Sequence, residues 1–354
     1  MNAVPTSPLR LLLVGLGPLG RIIASDLYER RLGHIVAAVD SSPLLAGKRL
    51  DELIKTPDPG GVEVLVSSSA AEIRNWSQID AAVVATASDL RLAAPVIIDL
   101  ARRGLPVVST CEELVWPWLR HPALAREIDE AAKRGGGRVL GTGVNPGFLM
   151  DTLPVALTAV SKSVRAVSVH RIQDASTRRI PFQQKIGAGL DDVAFRKKID
   201  EGTLRHVGLG ESMHFVAHYL GLTIDRWEES IEPVRAERPL PSAIGPIAAG
   251  LAAGVRQVAR GYTRDGQSER LVVNMEFQAA IGQTNPHDRV VIDGDPNIDL
   301  VIRGGVHGDV ATSAITLNAI RSLTEAAPGL HTMATVPCVR FTGLKLRVKP
   351  PSLN

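Results

Sequence analysis

Two adjacent acids, Glu112 and Glu113, follow the apolar run Pro106-Val-Val-Ser109 after only Thr110 and Cys111. Such a run reads as a buried strand, so the acids stand at a strand's carboxyl end. A carboxylate there suits a cationic substrate. It attracts an ammonium group and moves protons at a carbon bearing nitrogen and oxygen. The plainer role for both is the first turn of a helix, where the macrodipole favours acids. A second chemical group is Gly15-Leu16-Gly17-Pro18-Leu19-Gly20, directly after Leu11-Leu-Leu-Val14. Three glycines at this spacing let a chain turn tightly from strand to helix. They bring a pyrophosphate onto backbone N–H groups at the helix start, where the dipole favours an anion. Asp40 closes the next apolar run, His34-Ile-Val-Ala-Ala-Val39, about 20 residues past the last glycine. An acid so placed holds a ribose 2′-hydroxyl. Ser41 follows it.

The elements that must position these groups alternate over the first 145 residues. After the helix ending near Glu29 come strand-like Val62–Val66, a helix-like stretch near Ala70–Trp76, and strand-like Ala81–Ala85, which leads into Thr86-Ala87-Ser88-Asp89. A helix over 90–103, the strand 106–109, a helix over 122–134 and the strand 138–140 complete the series. This pattern predicts a doubly wound parallel sheet of the Rossmann kind. In such a sheet the loops after the strands share one crevice. The expected cofactor contacts are therefore Gly15, Leu16, Gly17, Pro18, Leu19, Gly20, Asp40, Ser41, Thr86, Ala87, Ser88, Thr110 and Asn145. The cofactor is NAD or NADP, and Asp40 tilts the expectation slightly to NAD.

Beyond Gly147 the pattern changes. Residues 148–160 read as one helix. Strands are expected over 163–172, 271–282, 289–292 and 297–304. Helices are expected around 191–201, 211–221, 247–260 and 309–326. The reading is α/β: a dinucleotide-binding domain over 1–145, then a substrate and dimerisation domain over 146–330. The latter is α+β with an open, mainly antiparallel sheet. Residues 331–354 form a C-terminal segment free to return to the first domain.

Composition narrows the class. The chain has 354 residues, a net charge of +3 and two cysteines, Cys111 and Cys338. Charges of both signs are mixed, so no basic block points to nucleic acid. No Cys/His group has zinc spacing, and no metal is expected. The apolar N-terminus runs straight into the glycine turn, unlike a signal peptide. Residues 247–255 are too few and too rich in Gly and Ala to span a bilayer. A cytoplasmic enzyme without membrane or nucleic-acid partners is expected.

Gly141-Thr-Gly-Val-Asn145-Pro-Gly147-Phe-Leu-Met-Asp151-Thr-Leu resembles the G-T-G-V-N-P-G-F-x-M-D-x-L signature of 2,4-diaminopentanoate dehydrogenases and the related native amine dehydrogenases. Gly304-Gly-Val-His307-Gly-Asp309, Leu317-Asn-Ala-Ile and Ala327-Pro-Gly329-Leu-His-Thr-Met333 are similar to that family as well. With the N-terminal glycines, the likeness spans nearly the whole chain. The resemblance implies reductive amination of small ketones or aldehydes with ammonia, its reverse, and a homodimer. It implies that Asn145 holds the nicotinamide or its ribose and that Phe148 walls the substrate pocket. The segment from Val107 also resembles V-V-T-A-N-K of homoserine dehydrogenases, which puts Glu112 in the lysine's place as acid/base, with Glu113 its competitor. The plain reading of Asn145 is a helix N-cap before Pro146, and that of Phe148 is core packing. Phe182 and His206 are further pocket candidates, although a lone histidine is more often structural. Arg171, Arg178 and Arg179 are candidate clamps for an acidic substrate or cofactor phosphates. His307 and Asp309 form a candidate charge pair, and a cap of the following helix explains Asp309 equally well. Trp116, Trp118, Phe148 and Phe182 are four of only 13 aromatic residues (Trp 4, Tyr 3, Phe 6), which suggests apolar pocket walls. Dihydrodipicolinate reductases and sugar oxidoreductases of this layout lack matching motifs here. The reading from another class is a dinucleotide-binding sensor without catalysis.

Overall fold

In the computed structural model residues 8–343 are described, apart from Pro57, Pro59, Val62 and Arg179 and the side chain of Asp265. The chain opens on β1 (Leu9–Val14), α1 (Pro18–Glu29) and β2 (Gly33–Val39). Pro18 begins α1, where its missing N–H costs nothing. Gly20 lies so close to the strand turn that a Cβ on it would sit 1.9 Å from the Gly15 carbonyl oxygen. There follow β3 (Val66–Ser67), β4 (Ala81–Val84), α2 (Leu90–Arg102), β5 (Pro106–Ser109), α3 (Pro122–Gly135) and β6 (Arg138–Gly141). Of the expected strand over 62–66, Val62 lies outside the described residues and Val66 opens β3, and the helix-like 70–76 is two short 3-10 turns, Ala70–Glu72 and Trp76–Gln78.

The next elements are α4 (Thr152–Leu157), β7 (Ser163–Asp174), α5 (Ile180–Lys185), α6 (Asp192–Asp200), α7 (Leu209–Leu220), β8 (Arg226–Arg235), β9 (Ala252–Asp265), β10 (Ser268–Ala280), β11 (His287–Asp295) and β12 (Ile298–Arg303). They build a six-stranded sheet in the order β12-β11-β7-β10-β9-β8. Only β7 and β10 run parallel; the other pairs are antiparallel. Its core is lined by Val167 and Val169, by Val273, Met275 and Phe277, and by Met213, Phe215 and Val216 of α7. Two expectations fail here. The helix over 148–160 is a set of turns, the short α4 and a 3-10 turn. The helix-like 247–260 is mostly the long strand β9. Its spacing mimicked a helix because small residues on both faces blurred the alternation. Gly254 shows the strand's need: a Cβ there would lie 2.0 Å from the Ala279 carbonyl oxygen.

The chain then returns through α8 (Gly308–Thr324) and β13 (Gly329–His331). β13 pairs in parallel with β6. The first sheet therefore reads β13-β6-β5-β4-β1-β2-β3, all parallel, with the order reversing between β1 and β4. Alternate residues of β1 enter two cores. Leu11 and Leu13 join Ile23, Leu27, Leu317 and Ile320. Leu12 joins Ile97, Ile128 and Ala132. Helices α1 and α8 thus cover one face, and α2 and α3 the other. Two compact units result. One holds residues up to Leu114, His121–Gly143 and the chain from Asp309 on; the other holds Val115–Arg120 and Val144–Gly308.

Candidate active site

In the first unit the sheet order reverses at β1 and β4, where a ligand crevice is expected. A cleft of about 810 Å³ opens there, lined by Gly15, Gly17, Asp40, Ser41, Thr86 and Ala87 among others. Gly15 has φ +96°, and a Cβ on it would meet the Ala85 carbonyl oxygen at 2.4 Å. Gly17 faces open space, with nothing within 4 Å of a Cβ position. As N-cap of α1 it lends no side chain to the first-turn N–H groups. The α2, α4 and α6 starts are capped by Asp89, Asp151 and Asp191. An uncapped first turn beside a cleft is fitted to an anion. Asp40 is held at both oxygens: Leu16 N–H donates to Oδ2 at 2.7 Å and Ser42 N–H to Oδ1 at 2.9 Å. Pro18 and Leu19 lie in the first turn of α1. The cleft also takes in Ser68, Ser69, Ala70 and Ala71 after β3. These were not singled out from the sequence, because no motif marks that short connection.

Past β5, Thr110 N–H donates to the Val84 carbonyl. The Ser88 carbonyl accepts from Glu113 N–H at 3.3 Å and from the Cys111 thiol at 3.2 Å. That carbonyl therefore braces the acid loop, and Ser88 is not among the residues lining the cleft. Burial pushes the Cys111 thiol up to about 12, so it stays protonated and inert. The two glutamates part company here. Glu113 is buried, and its Oε2 accepts from Leu90 N–H at 2.9 Å and meets His121 Nε2 at 2.8 Å. It secures the start of α2. Glu112 is half-buried in the same 3-10 turn, Glu112–Leu114. Asp89, Glu113 and His121 bring ligand-type atoms within 4.8 Å of one another. The Asp89 carboxylate is bound to Arg91.

In the second unit the segment 145–151 is held by its own neighbours. Gly147 N–H donates to Asp151 Oδ2 at 2.7 Å, and Ser212 Oγ–H donates to the same oxygen at 2.8 Å. Burial raises the pKa of Asp151. Asn145 Nδ2 donates to His206 Nε2 at 2.9 Å. Asn145 Oδ1 is buried without a hydrogen-bond partner among the described residues, and so is Thr142 Oγ1 three residues earlier. An unmet buried acceptor costs about 1–3 kcal/mol. The N-cap role expected of Asn145 is not found: Asp151 caps α4.

The other candidates fall out as follows. Phe148 is half-buried and its carbonyl accepts from Leu153 N–H. Phe182 packs on the second core and lies under the Arg178 guanidinium at 4.2 Å. Arg171 is not a ligand clamp. It is 2% exposed and bound to Asp288 at 2.7 Å and to the Val306 carbonyl at 3.0 Å. Arg179 lies outside the described residues. His307 is exposed, and Asp309 stands in the first turn of α8. Trp116 stacks near Trp118, Phe215 and His218, with centroids 4.8, 5.9 and 4.8 Å away.

Sequence comparison decides the family. A profile of the 2,4-diaminopentanoate dehydrogenase C-terminal domain matches residues 148–347. The 2,4-diaminopentanoate dehydrogenase of Acetoanaerobium sticklandii is 31% identical over 337 residues, covering 94% of each chain. The chain belongs to the 2,4-diaminopentanoate dehydrogenase family. An amine dehydrogenase of Streptomyces virginiae is 24% identical over 349 residues, 91% of this chain and 94% of its own. The solved amine dehydrogenase of Mycobacterium smegmatis superposes with a TM-score of 0.78 at 24% identity, covering 95% of this chain and 98% of that one. The likeness covers the two-sheet fold, and this family member is an oxidoreductase of the amine dehydrogenase kind. No helix among its described residues is long and apolar enough to cross a membrane.

Proposed function

We propose that this family member interconverts a small primary amine with its ketone or aldehyde and ammonia, with Glu112 as the acid/base. The observation that carries this assignment is the division of labour between the glutamates. Glu113 is buried and bound to Leu90 N–H and His121, which ties it to the start of α2, and Glu112 is the more exposed of the two acids at the end of β5. A nicotinamide dinucleotide supplies reversible hydride exchange at the carbon that carries nitrogen. The residues present fit that group: a glycine turn with open space at Gly17, an uncapped α1 start, and the unmet oxygens of Thr142 and Asn145. In this reading the first turn of α1 binds the pyrophosphate, Asp40 takes the ribose, and Asn145 orients the nicotinamide half. Glu112 attracts the substrate ammonium and holds or returns the proton as nitrogen or water leaves.

The finer reading is NAD over NADP. Both Asp40 oxygens are fixed by backbone N–H groups, so the carboxylate cannot swing away from a 2′-phosphate. Asp40→Ala is expected to shift the ratio of NADPH to NADH affinity toward NADPH, and an unchanged ratio in fluorescence titration rejects this role. Small aliphatic or cyclic ketones are expected to be better substrates than the matching 2-oxo acids, because Arg171 is closed off by Asp288. Phe148 and Phe182 then serve as apolar walls. The homodimer implied by the family likeness is expected in sedimentation. The central test is a panel of amines with NAD+ or NADP+ at alkaline pH, and of ketones with ammonium and the reduced cofactors. Turnover is expected; inactivity across the panel with intact cofactor binding overturns the assignment and favours a sensor.

A further inference from the structure

Gln257 is a polar side chain with no exposed surface on β9, among Val255, Ala259 and Phe277. A methionine or leucine would fill that space without the cost of burying an amide. The amide is used almost completely. Its Oε1 accepts from His206 N–H at 2.6 Å, and its Nε2 donates to the His206 carbonyl at 3.0 Å and to Glu229 Oε1 at 2.6 Å. One buried side chain thus grips one loop residue at both backbone groups. The His206 ring lies flat on Phe277, with centroids 4.2 Å apart and planes 17° apart. Its Nε2 faces Asn145 Nδ2 at 2.9 Å. Two residues further on, Gly208 backs onto Pro146, where a Cβ would come within 2.4 Å of Pro146 Cγ.

An asparagine amide has two orientations of nearly equal shape. A partner that only accepts selects one of them, with nitrogen inward and oxygen outward. We propose that His206, gripped by Gln257, is a positioning residue that orients the Asn145 amide so that its Oδ1 is presented to the nicotinamide half of the cofactor. The inference rests on the reading that Asn145 contacts the cofactor. Burial and the charges of Lys185 and Arg171 press the His206 pKa down to about 3. The ring is therefore neutral at every working pH, and in the tautomer with its proton on Nδ1 the Nε2 accepts from the Asn145 amide. A protonated ring would donate instead and turn the amide over.

The test is fluorescence titration of NADH into the full chain and its variants, with melting temperatures alongside. Asn145→Ala is expected to weaken NADH about tenfold, the worth of one lost hydrogen bond. His206→Leu is expected to cost nearly as much, and His206→Gln, which restores an acceptor, to recover most of it. Because His206 acts through Asn145, the double variant Asn145→Ala/His206→Leu is expected to bind no more weakly than Asn145→Ala alone. Losses that simply add in the double variant overturn the proposal, as does wild-type binding by His206→Leu beside a weakened Asn145→Ala. Wild-type binding by Asn145→Ala overturns the underlying reading instead. If His206→Leu does not fold, Gln257→Met carries the test. A loss comparable to that of Asn145→Ala supports the grip, and wild-type affinity refutes it.

Discussion

Glu112 and Glu113 are neighbours in sequence and opposites in surroundings. Glu112→Gln is expected to lower kcat by about 10²–10⁴-fold with NADH affinity nearly unchanged, since proton transfer is what is lost. Glu113→Gln is expected to keep most of the rate. Its cost should appear in the melting temperature, because Leu90 N–H and His121 lose a charged partner. A dead Glu113→Gln beside an active Glu112→Gln reverses the assignment. The sequence showed two acids at a strand end but could not choose between them. The choice is made by a backbone N–H 23 residues upstream and an imidazole eight residues downstream, contacts that no local spacing encodes. Likewise His206 looked like a pocket residue, and its partner Gln257 carried no motif. His206 also makes a pH prediction. Its folded pKa of about 3 lies below its unfolded value near 6.5. Between these the unfolded chain takes a proton that the folded one refuses. Stability from this group is therefore complete above pH 6.5 and lost as the pH falls toward 3, by at most about 1.4 kcal/mol per pH unit. Denaturant unfolding at pH 8 and pH 5 should show His206→Gln losing less stability on acidification than the wild type. Equal losses would remove the neutral-histidine argument.

At the scale of elements, most of the first unit was readable because β1, β2, β4 and β5 are mainly apolar runs followed by a turn. The parallel pairing follows from the αβ alternation, whereas the strand order, with its reversal between β1 and β4, is a finding of the structure. The second unit was less readable. Strand β9 carries Ala252, Ala253, Gly254 and Ala259, small residues that suit either period. Strand β8 was missed because Arg226, Glu228, Glu229 and Glu232 make it look like a solvated face. Its identity comes from pairing with β9, whose partner residues lie 17 or more positions away. Backbone closeness makes its own prediction in the 204–208 connection. Gly208 has φ +102° and is pressed on Pro146. Gly208→Ala should lower the melting temperature, and by pushing Pro146 it should also weaken NADH binding. A variant with lower stability but wild-type NADH affinity would show that Pro146 gives way without moving Asn145.

Across the whole molecule, the chain passes between its two units four times, at 114–115, 120–121, 143–144 and 308–309. The expected division at 145–146 lies two residues past the passage at 143–144, and the expected return from residue 331 on lies beyond the passage at 308–309. A fragment of residues 1–145 lacks Leu317, Ile320, Leu323, Met333 and Val336 from one of its cores. It also leaves β6 as an open sheet edge. That fragment should aggregate in gel filtration, and co-expressed residues 309–343 should restore a monodisperse species; a well-behaved 1–145 fragment would show α8 and β13 to be dispensable. The same threading bears on how such genes recombine. The family profile over 148–347 carries α8 and β13 within it. A crossover at 147 would import a stranger's β13 alongside the native β6. It would sever Leu330 N–H from the Asp129 it was matched to and the Ala326 carbonyl from Arg138. The two ends of the reading frame are thus bound to diverge together, and chimeras joined at the profile boundary inherit a mismatch between β6 and β13 of the first sheet.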